Sequence, residues 1–110
     1  MPDTIVALRQ ALPYVRLYKN KVFVVKVGGK VVQKRETLDA VAQEVSLLHQ
    51  VGIKVVLVHG GGPQATELSR RLGIEPTIVA GRRVTDAQAL EVAKMVYAGS
   101  LNVDILSAFR

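Results

Sequence analysis

The sequence has no cysteine, and its only histidines are His49 and His59. Without cysteine neither a disulfide framework nor a thiolate metal site can form, and two histidines do not complete the ligand set of a zinc site. No stretch reaches the roughly eighteen apolar residues of a membrane-spanning helix, and the first residues mix charge throughout without a signal-peptide cleavage site. We therefore predict a cytoplasmic protein with no metal site and no membrane contact.

Acidic residues are scarce in the first third of the chain. Residues 1–35 hold eight Lys or Arg against the single acid Asp3, whereas residues 36–110 hold seven against eight acids. The net charge of +6 is accompanied by no RNA-binding motif and by no basic strand with interleaved aromatic residues. We interpret the excess as a solvated basic face or a subunit contact, and we predict no nucleic-acid partner.

A strand, a helix and a second strand are indicated between positions 21 and 58. KVFVVKVGG (21–29) is rich in β-branched residues and ends in two glycines, and KVVLV (54–58) is similar. Between them an amphipathic helix starts at Glu36 and closes near Gly52, with an apolar face of Leu38, Val41, Ala42, Val45 and Leu48. This β-α-β unit implies a parallel sheet, and strands apolar on both faces imply helices on both sides. We predict one α/β domain with a mainly parallel sheet sandwiched by helices.

An amphipathic helix is also predicted before the first strand. Ile5, Leu8, Leu12 and Val15 fall on one helical face. Pro13 removes a backbone hydrogen bond and biases the preceding residue away from helical geometry, so we expect a kink or two short helices.

Three further elements are predicted after the second strand. Pro63 suits the first position of a helix, which should end before Gly73. Residues 75–86 are apolar on either side of Ala80-Gly81 and indicate a small β-hairpin. Thr85 and Gln88 form a capping-box pattern that opens a helix to about residue 98, and a last helical stretch begins at residue 101.

Glycine clusters follow both strands of the predicted sheet. Ligands of parallel α/β sheets bind beyond the carboxyl ends of the strands, where Gly28-Gly29 and Gly60-Gly61-Gly62 lie. The second cluster leads into a helix whose first N–H groups are unpaired and whose dipole favours negative charge. The amides of Gly61 and Gly62 could therefore hold a phosphoryl group or a carboxylate. The alternative is a tight strand-to-helix turn that binds nothing.

Three cations are candidates for the same site. Lys26 lies near the end of an apolar strand, so its ammonium should reach the polar crevice, unless it extends along an edge strand into solvent. Arg82 and Arg83 lie on the hairpin, and since neighbouring strand residues face opposite sides, only one should point inward. An inward guanidinium could grip a carboxylate bidentately, whereas an outward one would be solvated.

GGGPQA (60–65) formally matches the dinucleotide fingerprint G-x-G-x-x-A. The acidic residue that should hold the ribose about twenty positions further on is missing, although the arginines there could instead hold the 2′-phosphate of NADP. An NADP-binding α/β unit therefore stays open as an alternative. No Walker sequence G-x-x-x-x-G-K-[ST] is present.

Four collinear segments make the sequence resemble the amino-acid kinase family. They are VVKVGGK (24–30), GIKVVLVHGGGPQATELSRRLGI (52–74), GRRVTDAQALEVAKMV (81–96) and AGSLNVDIL (98–106). Within that family the resemblance is to the enzymes of arginine biosynthesis that use ATP with Mg²⁺ to convert the side-chain carboxylate of N-acetyl-L-glutamate to an acyl phosphate.

The resemblance also implies roles for individual residues. Lys26 matches the lysine that stabilises the transferring phosphoryl group, Gly61 and Gly62 match the amides that meet substrate and phosphate, and Arg83 matches the arginine that binds the substrate carboxylate. Supporting glycines of the phosphate loops are Gly28, Gly29 and Gly60. The chain departs from the family at Lys30, where asparagine is frequent, and at Arg82, where leucine is frequent.

The resemblance further implies an organisation for the whole protein. Residues 1–20 are similar to a helix that joins subunits, so we expect a homo-oligomer, either a dimer or a hexamer assembled through this helix. Residues 21–110 are similar to the N-terminal part of a kinase domain more than twice as long, whose second half supplies the nucleotide site. We therefore expect the 110 residues alone not to turn over ATP.

A related regulatory domain, that of N-acetylglutamate synthase, is the alternative within the same resemblance. Many such domains read HGAR where this chain reads HGGG (59–62). This difference favours the kinase.

Overall fold

The computed structural model describes residues 2–110, which form helices and four short strands. In chain order these are α1 Asp3–Tyr18, β1 Val22–Val27, α2 Gly29–Gln33, α3 Arg35–Gln50, β2 Lys54–His59, α4 Gly62–Arg71, β3 Thr77–Val79, β4 Arg82–Val84, α5 Ala87–Ala93, a π-helical segment Lys94–Ser100 and α6 Leu101–Ala108. The predicted α/β class is confirmed.

Strands β1 and β2 form the predicted parallel pair, in a register that runs from Val22 opposite Lys54 to Val27 opposite His59. Helix α3 connects them and completes the β-α-β unit. One face of the pair is half-buried and packs against the helices. The opposite face is exposed among the described residues, and Val24 on it keeps 70% of its surface accessible. Helices were predicted on both faces of the sheet, and within residues 2–110 they cover only one of these faces.

A hydrophobic cluster lies where the sheet packs against the helices. Its buried members come from α2, α3, α5, the π-helical segment and α6, and they are Val32, Leu38, Val92, Val96, Leu101 and Ile105. Val27 and Leu57 at the carboxyl ends of the two strands pack against it. The core thus fixes the helices directly beneath the strand ends where the glycine clusters lie.

Helices α3 and α4 both end as their glycines predict. Gly52 (φ 92°) and Gly73 (φ 69°) adopt the left-handed conformation that favours glycine. In each case the glycine N–H and the next N–H donate back to carbonyls of the last helical turn, such as Ile53 N–H to Leu48 O at 3.0 Å. This pair of hydrogen bonds is the Schellman motif, which satisfies the free carbonyls at a helix end.

Helix α1 is one continuous helix with Pro13 inside it, so the alternative of two short helices is wrong. None of its residues is buried. The Tyr18 ring meets Phe23 of β1 edge to face at 5.2 Å between centroids, which ties the end of α1 to the sheet. No helix in residues 2–110 combines the length and apolar content needed to cross a membrane.

The predicted hairpin is confirmed. Strands β3 and β4 pair antiparallel with Thr77 opposite Val84, and the two-residue loop between them is Ala80-Gly81. Both loop residues have positive φ, 51° and 76°. Positive φ at both central positions is what a type I′ turn requires, and this turn matches the twist of paired strands.

Two local details differ from the sequence-based expectation. Helix α2 follows directly on β1, and no helix was predicted between this strand and the helix expected to start at Glu36. The helix after the hairpin is capped by Asp86, whose carboxylate accepts from the Ala89 N–H at 2.8 Å, and not by Thr85. The same carboxylate also accepts from the Thr77 hydroxyl at 3.1 Å, so this cap joins α5 to the hairpin.

The Asp86 cap should make stability depend on acid pH. The Ala89 N–H, and after it the Thr77 hydroxyl, hold the pKa of the Asp86 carboxyl below its ordinary value. A carboxyl with a lowered folded-state pKa stabilises the fold above the unfolded pKa of about 3.9, and this stabilisation is lost as the pH falls through the folded pKa. We expect Asp86→Ala to lower the melting temperature at pH 7 and to have a smaller effect at an acid pH well below the unfolded pKa of about 3.9.

Thermal unfolding of the complete gene product, followed by circular dichroism at both pH values, measures this difference. Asp104→Ala, at an exposed aspartate of α6, is the control. If Asp86→Ala lowered the melting temperature equally at both pH values, the ionised carboxylate would not be what stabilises the helix end.

Candidate functional site

The two glycine loops meet at the carboxyl ends of β1 and β2. The Gly60 N–H donates to Val27 O at 2.9 Å, and a methyl group on Gly60 would lie 3.0 Å from the Gly29 nitrogen. A methyl group on Gly29 would lie 2.8 Å from Pro63 Cδ and 2.9 Å from Gln64 Oε1. Real Cβ atoms essentially never come within 3.0 Å of another atom, so Gly29 leaves no room for a side chain unless its neighbours shift, and the approach at Gly60 is tighter than nine in ten real Cβ contacts.

Gly61 and Gly62 have different surroundings. Gly61 is buried, and a methyl group on it would lie 2.9 Å from Tyr97 Cε1 and 3.0 Å from Leu101 Cδ2. Gly62 is exposed, and a methyl group on it would meet no atom within 4 Å. Gly62 also opens α4, whose first N–H groups have no partner within the helix. Open space and free donors therefore coincide at Gly62, while Gly61 holds the turn against the core.

This difference predicts opposite results for two matched substitutions. Gly61→Ala must displace the Tyr97 ring or the turn, so we expect it to lower the free energy of unfolding by about 1–3 kcal/mol. Gly62→Ala should change that free energy by less than about 0.5 kcal/mol. Its methyl group would instead occupy space beside the free donors and weaken ligand binding. Urea unfolding of both variants tests the pair, and equal losses of stability would contradict this assignment.

A cavity of about 390 Å³ opens beside Gly62. It lies between α4, the hairpin, α5 and the π-helical segment, and its volume is that of a small-molecule site. Its polar and charged lining includes Thr66, Ser69, Arg70, Glu75, Thr77, Arg83, Thr85 and Asp86, and its apolar lining includes Ala65, Ile74, Val84, Ala89, Val92 and Ala93. The mixture suits a ligand with an anionic group and an apolar portion.

Arg83 lines this cavity, whereas Arg82 is not among the lining residues. The Arg83 Nη1 donates to Thr66 Oγ1 at 2.8 Å, which joins the hairpin to α4. Among the described residues Arg83 forms no ion pair, whereas Arg70 is paired with Glu67 at 2.7 Å. The Arg83 guanidinium thus remains available to a carboxylate while its position is set by a neutral hydroxyl.

Lys26 lies outside the lining of this cavity. It is the penultimate residue of β1, opposite Val58, and it belongs to the exposed face of the sheet. Gly28, two residues further on, caps α2 and has open space at its Cβ position. The structure therefore brings Gly62 and Arg83 to one cavity, and Gly29 lies beside the start of the helix that Gly62 opens, whereas Lys26 does not line the cavity.

Sequence reasoning missed three residues at the site. Thr66 holds Arg83, and Gln64 Nε2 donates to Gly29 O at 2.8 Å. Tyr97 lies parallel to the His59 ring at 6.2 Å between centroids and packs on Gly61. Tyr97 belongs to the π-helical segment, in which Gly99 departs from helical geometry. Two of these residues could have been found from their place in the sequence, because Gln64 and Thr66 fall in the first turns of a predicted helix that begins at glycines.

Comparison with known proteins gives matches to one family and to individual enzymes. The model of the amino acid kinase family matches residues 21–110. Acetylglutamate kinase of Symbiobacterium thermophilum is 44% identical over 105 residues, which are 96% of this chain and 36% of that protein. Acetylglutamate kinase of Chlorobaculum tepidum is 48% identical over 99 residues, 90% of this chain and 35% of that protein. The chain thus spans about a third of the length of these relatives.

Solved structures of a second enzyme are also similar. N-acetylglutamate synthase from Neisseria gonorrhoeae, complexed with coenzyme A and N-acetyl-glutamate, superposes with a TM-score of 0.78 at 30% identity, over 96% of this chain and 24% of that one. The same synthase complexed with coenzyme A and L-arginine gives a TM-score of 0.77 at 31% identity, over 94% and 24%.

Proposed function

This chain belongs to the amino acid kinase family, and on that basis we propose that it forms the substrate lobe of an acetylglutamate kinase. The proposed reaction transfers the γ-phosphoryl group of ATP to the side-chain carboxylate of N-acetyl-L-glutamate and yields an acyl phosphate. The observation that carries the proposal is the cavity in which the open helix end at Gly62 and the guanidinium of Arg83 meet.

The cavity supports binding of an acylated amino acid in a defined orientation. Arg83 can hold a carboxylate bidentately, and Thr66 keeps the guanidinium beside α4. The free N–H groups at the start of α4 attract the second anionic group of the substrate or the transferred phosphoryl group. Ala65, Val84 and Ala89 supply apolar surface for the acyl portion.

The chemistry of the acceptor explains why no general base is needed. A glutamate-type carboxylate has a pKa of about 4.3 and is already ionised at neutral pH. The obstacle is repulsion between this anion and the phosphates, so the required groups are preorganised cations and N–H donors. We assign these tasks to Lys26, Gly61 and Gly62, with Gly28, Gly29 and Gly60 shaping the loops. ATP with Mg²⁺ would supply the phosphoryl group.

We propose that residues 1–20 form a contact between subunits, separate from the kinase unit of residues 21–110. Helix α1 has no buried residue, although Ile5, Leu8 and Leu12 form an apolar stripe along it. An apolar stripe of this kind is stabilised when a second helix covers it.

A regulatory domain of the N-acetylglutamate synthase type is the second candidate. The observation in its favour is the TM-score of 0.78 with the synthase. Such a domain would bind arginine or an acyl glutamate without phosphoryl transfer.

Activity and binding of the complete gene product distinguish these candidates. The kinase proposal expects ATP- and Mg²⁺-dependent formation of an acyl phosphate from N-acetyl-L-glutamate, trapped with hydroxylamine, and calorimetric binding of the same substrate. Arginine binding without acyl phosphate would favour the regulatory domain. Tight NADP binding with no response to N-acetyl-L-glutamate would refute both. The 110 residues alone are expected to form no acyl phosphate.

A further inference from the structure

A single side chain connects the two glycine loops. Gln64, in the first turn of α4, donates from Nε2 to the carbonyl of Gly29 at 2.8 Å. The two residues are separated by 35 positions in the sequence, and the bond is partly buried. It therefore links the end of β1 to the beginning of α4 at the point where the loops touch.

The packing around Gln64 is tight. The position that a methyl group on Gly29 would take lies 2.9 Å from Gln64 Oε1, 2.8 Å from Pro63 Cδ and 3.1 Å from the Gly61 nitrogen. The buried Oε1 has no partner among the described residues. A buried amide oxygen without a hydrogen bond costs free energy, which reduces the net stability that the Gln64–Gly29 contact contributes.

We propose that Gln64 is a positioning residue, one that fixes the Gly28-Gly29 loop, and with it the strand end that carries Lys26, against the first turn of α4 that carries Gly62. The inference rests on the proposed function. Glycine loops have many backbone conformations, and the Gln64 bond to Gly29 O restricts the loop in addition to the bond from Gly60 N–H to Val27 O. Phosphoryl transfer depends on the separation of the cation from the substrate-binding donors, and a misplacement of about 1 Å can cost 10²-fold in rate.

The test uses Gln64→Met in the complete gene product, since methionine has a similar length and no N–H donor. We expect kcat to fall about 10- to 100-fold while KM for N-acetyl-L-glutamate changes less than about 3-fold, because Arg83 and Gly62 keep their places. Gln43→Met, at an exposed glutamine of α3, is the matched control and should change neither constant. An unchanged kcat, or parallel changes in kcat and KM, would overturn the inference.

A double substitution separates positioning from general stability. If Gln64 acts through Lys26, then adding Gln64→Met to Lys26→Met should lower kcat by less than about 3-fold further, because the group to be positioned is already absent. If Gln64→Met lowers kcat as much in the Lys26→Met background as it does alone, Gln64 does not act through Lys26.

Hydrogen exchange gives a measurement that does not depend on activity. The amides of Gly29 and Val31 should exchange at least about tenfold faster in Gln64→Met than in the wild type, while those in the middle of β1 stay unchanged. Unchanged exchange at both amides would overturn the inference even if the kinase proposal failed. If the wild type is an active kinase and Gln64→Met has the same kcat and amide exchange, this inference is refuted and the kinase proposal is not.

Discussion

Lys26→Met is expected to lower kcat of the complete gene product by about 10²- to 10³-fold, the typical loss when one preorganised donor to a developing charge is removed. Lys26 is the proposed cation for the transferred phosphoryl group, and it lies beside the Gly28-Gly29 loop and outside the substrate cavity. KM for N-acetyl-L-glutamate should therefore change little. This split between kcat and KM distinguishes a group that acts on the transition state from one that binds the substrate.

Lys30→Met is the control for charge. Lys30 lies four residues further along, in the exposed part of α2, and its replacement removes the same charge from the same region. We expect less than about a threefold change in kcat. Steady-state kinetics at saturating ATP measure kcat of both variants. An equal fall in kcat would mean that Lys26 contributes only through the overall positive charge of the protein.

Arg83→Ala is expected to raise KM for N-acetyl-L-glutamate by about 10- to 100-fold. Charge-assisted hydrogen bonds contribute about 1.5–3 kcal/mol each, and the guanidinium that lines the cavity would no longer meet the substrate carboxylate. Arg83→Lys should recover only part of the affinity, because an ammonium cannot bind a carboxylate bidentately. Calorimetric titration with the substrate measures the change directly.

Arg82→Ala is the matched control, since Arg82 is the adjacent residue of β4 and does not line the cavity. It should alter substrate affinity by less than about threefold. Equal losses for Arg82→Ala and Arg83→Ala would show that the hairpin attracts the substrate only by its overall charge.

Much of the fold could be predicted because the responsible signals are local. The β-branched runs predicted β1 and β2, and their spacing around one amphipathic helix predicted a parallel pair. Gly52 and Gly73 ended their helices because glycine adopts the left-handed conformation of the closing residue at little cost. The Ala80-Gly81 loop predicted the hairpin for a similar reason.

Elements that depend on distant contacts were not predicted. Helix α2 contains the β-branched pair Val31-Val32, which favours a strand locally, yet Val32 is buried in the cluster beside Leu38 of α3. Packing there outweighs propensity. Asp86 rather than Thr85 caps α5, and its carboxylate also accepts from Thr77, nine residues earlier across the hairpin.

At the site, the sequence established which residue types are available, because glycine amides, lysine and arginine carry their chemistry wherever they lie. Their arrangement depended on folding: Arg83 meets Thr66 17 positions away, and Gln64 meets Gly29 35 positions away. Strand alternation placed Lys26 on the same face as Val24, but a period of two does not indicate which face the helices cover. That choice is made by the packing of α2, α3, α5 and α6 against Val27 and Leu57, since burial of apolar surface is a property of the whole folded chain.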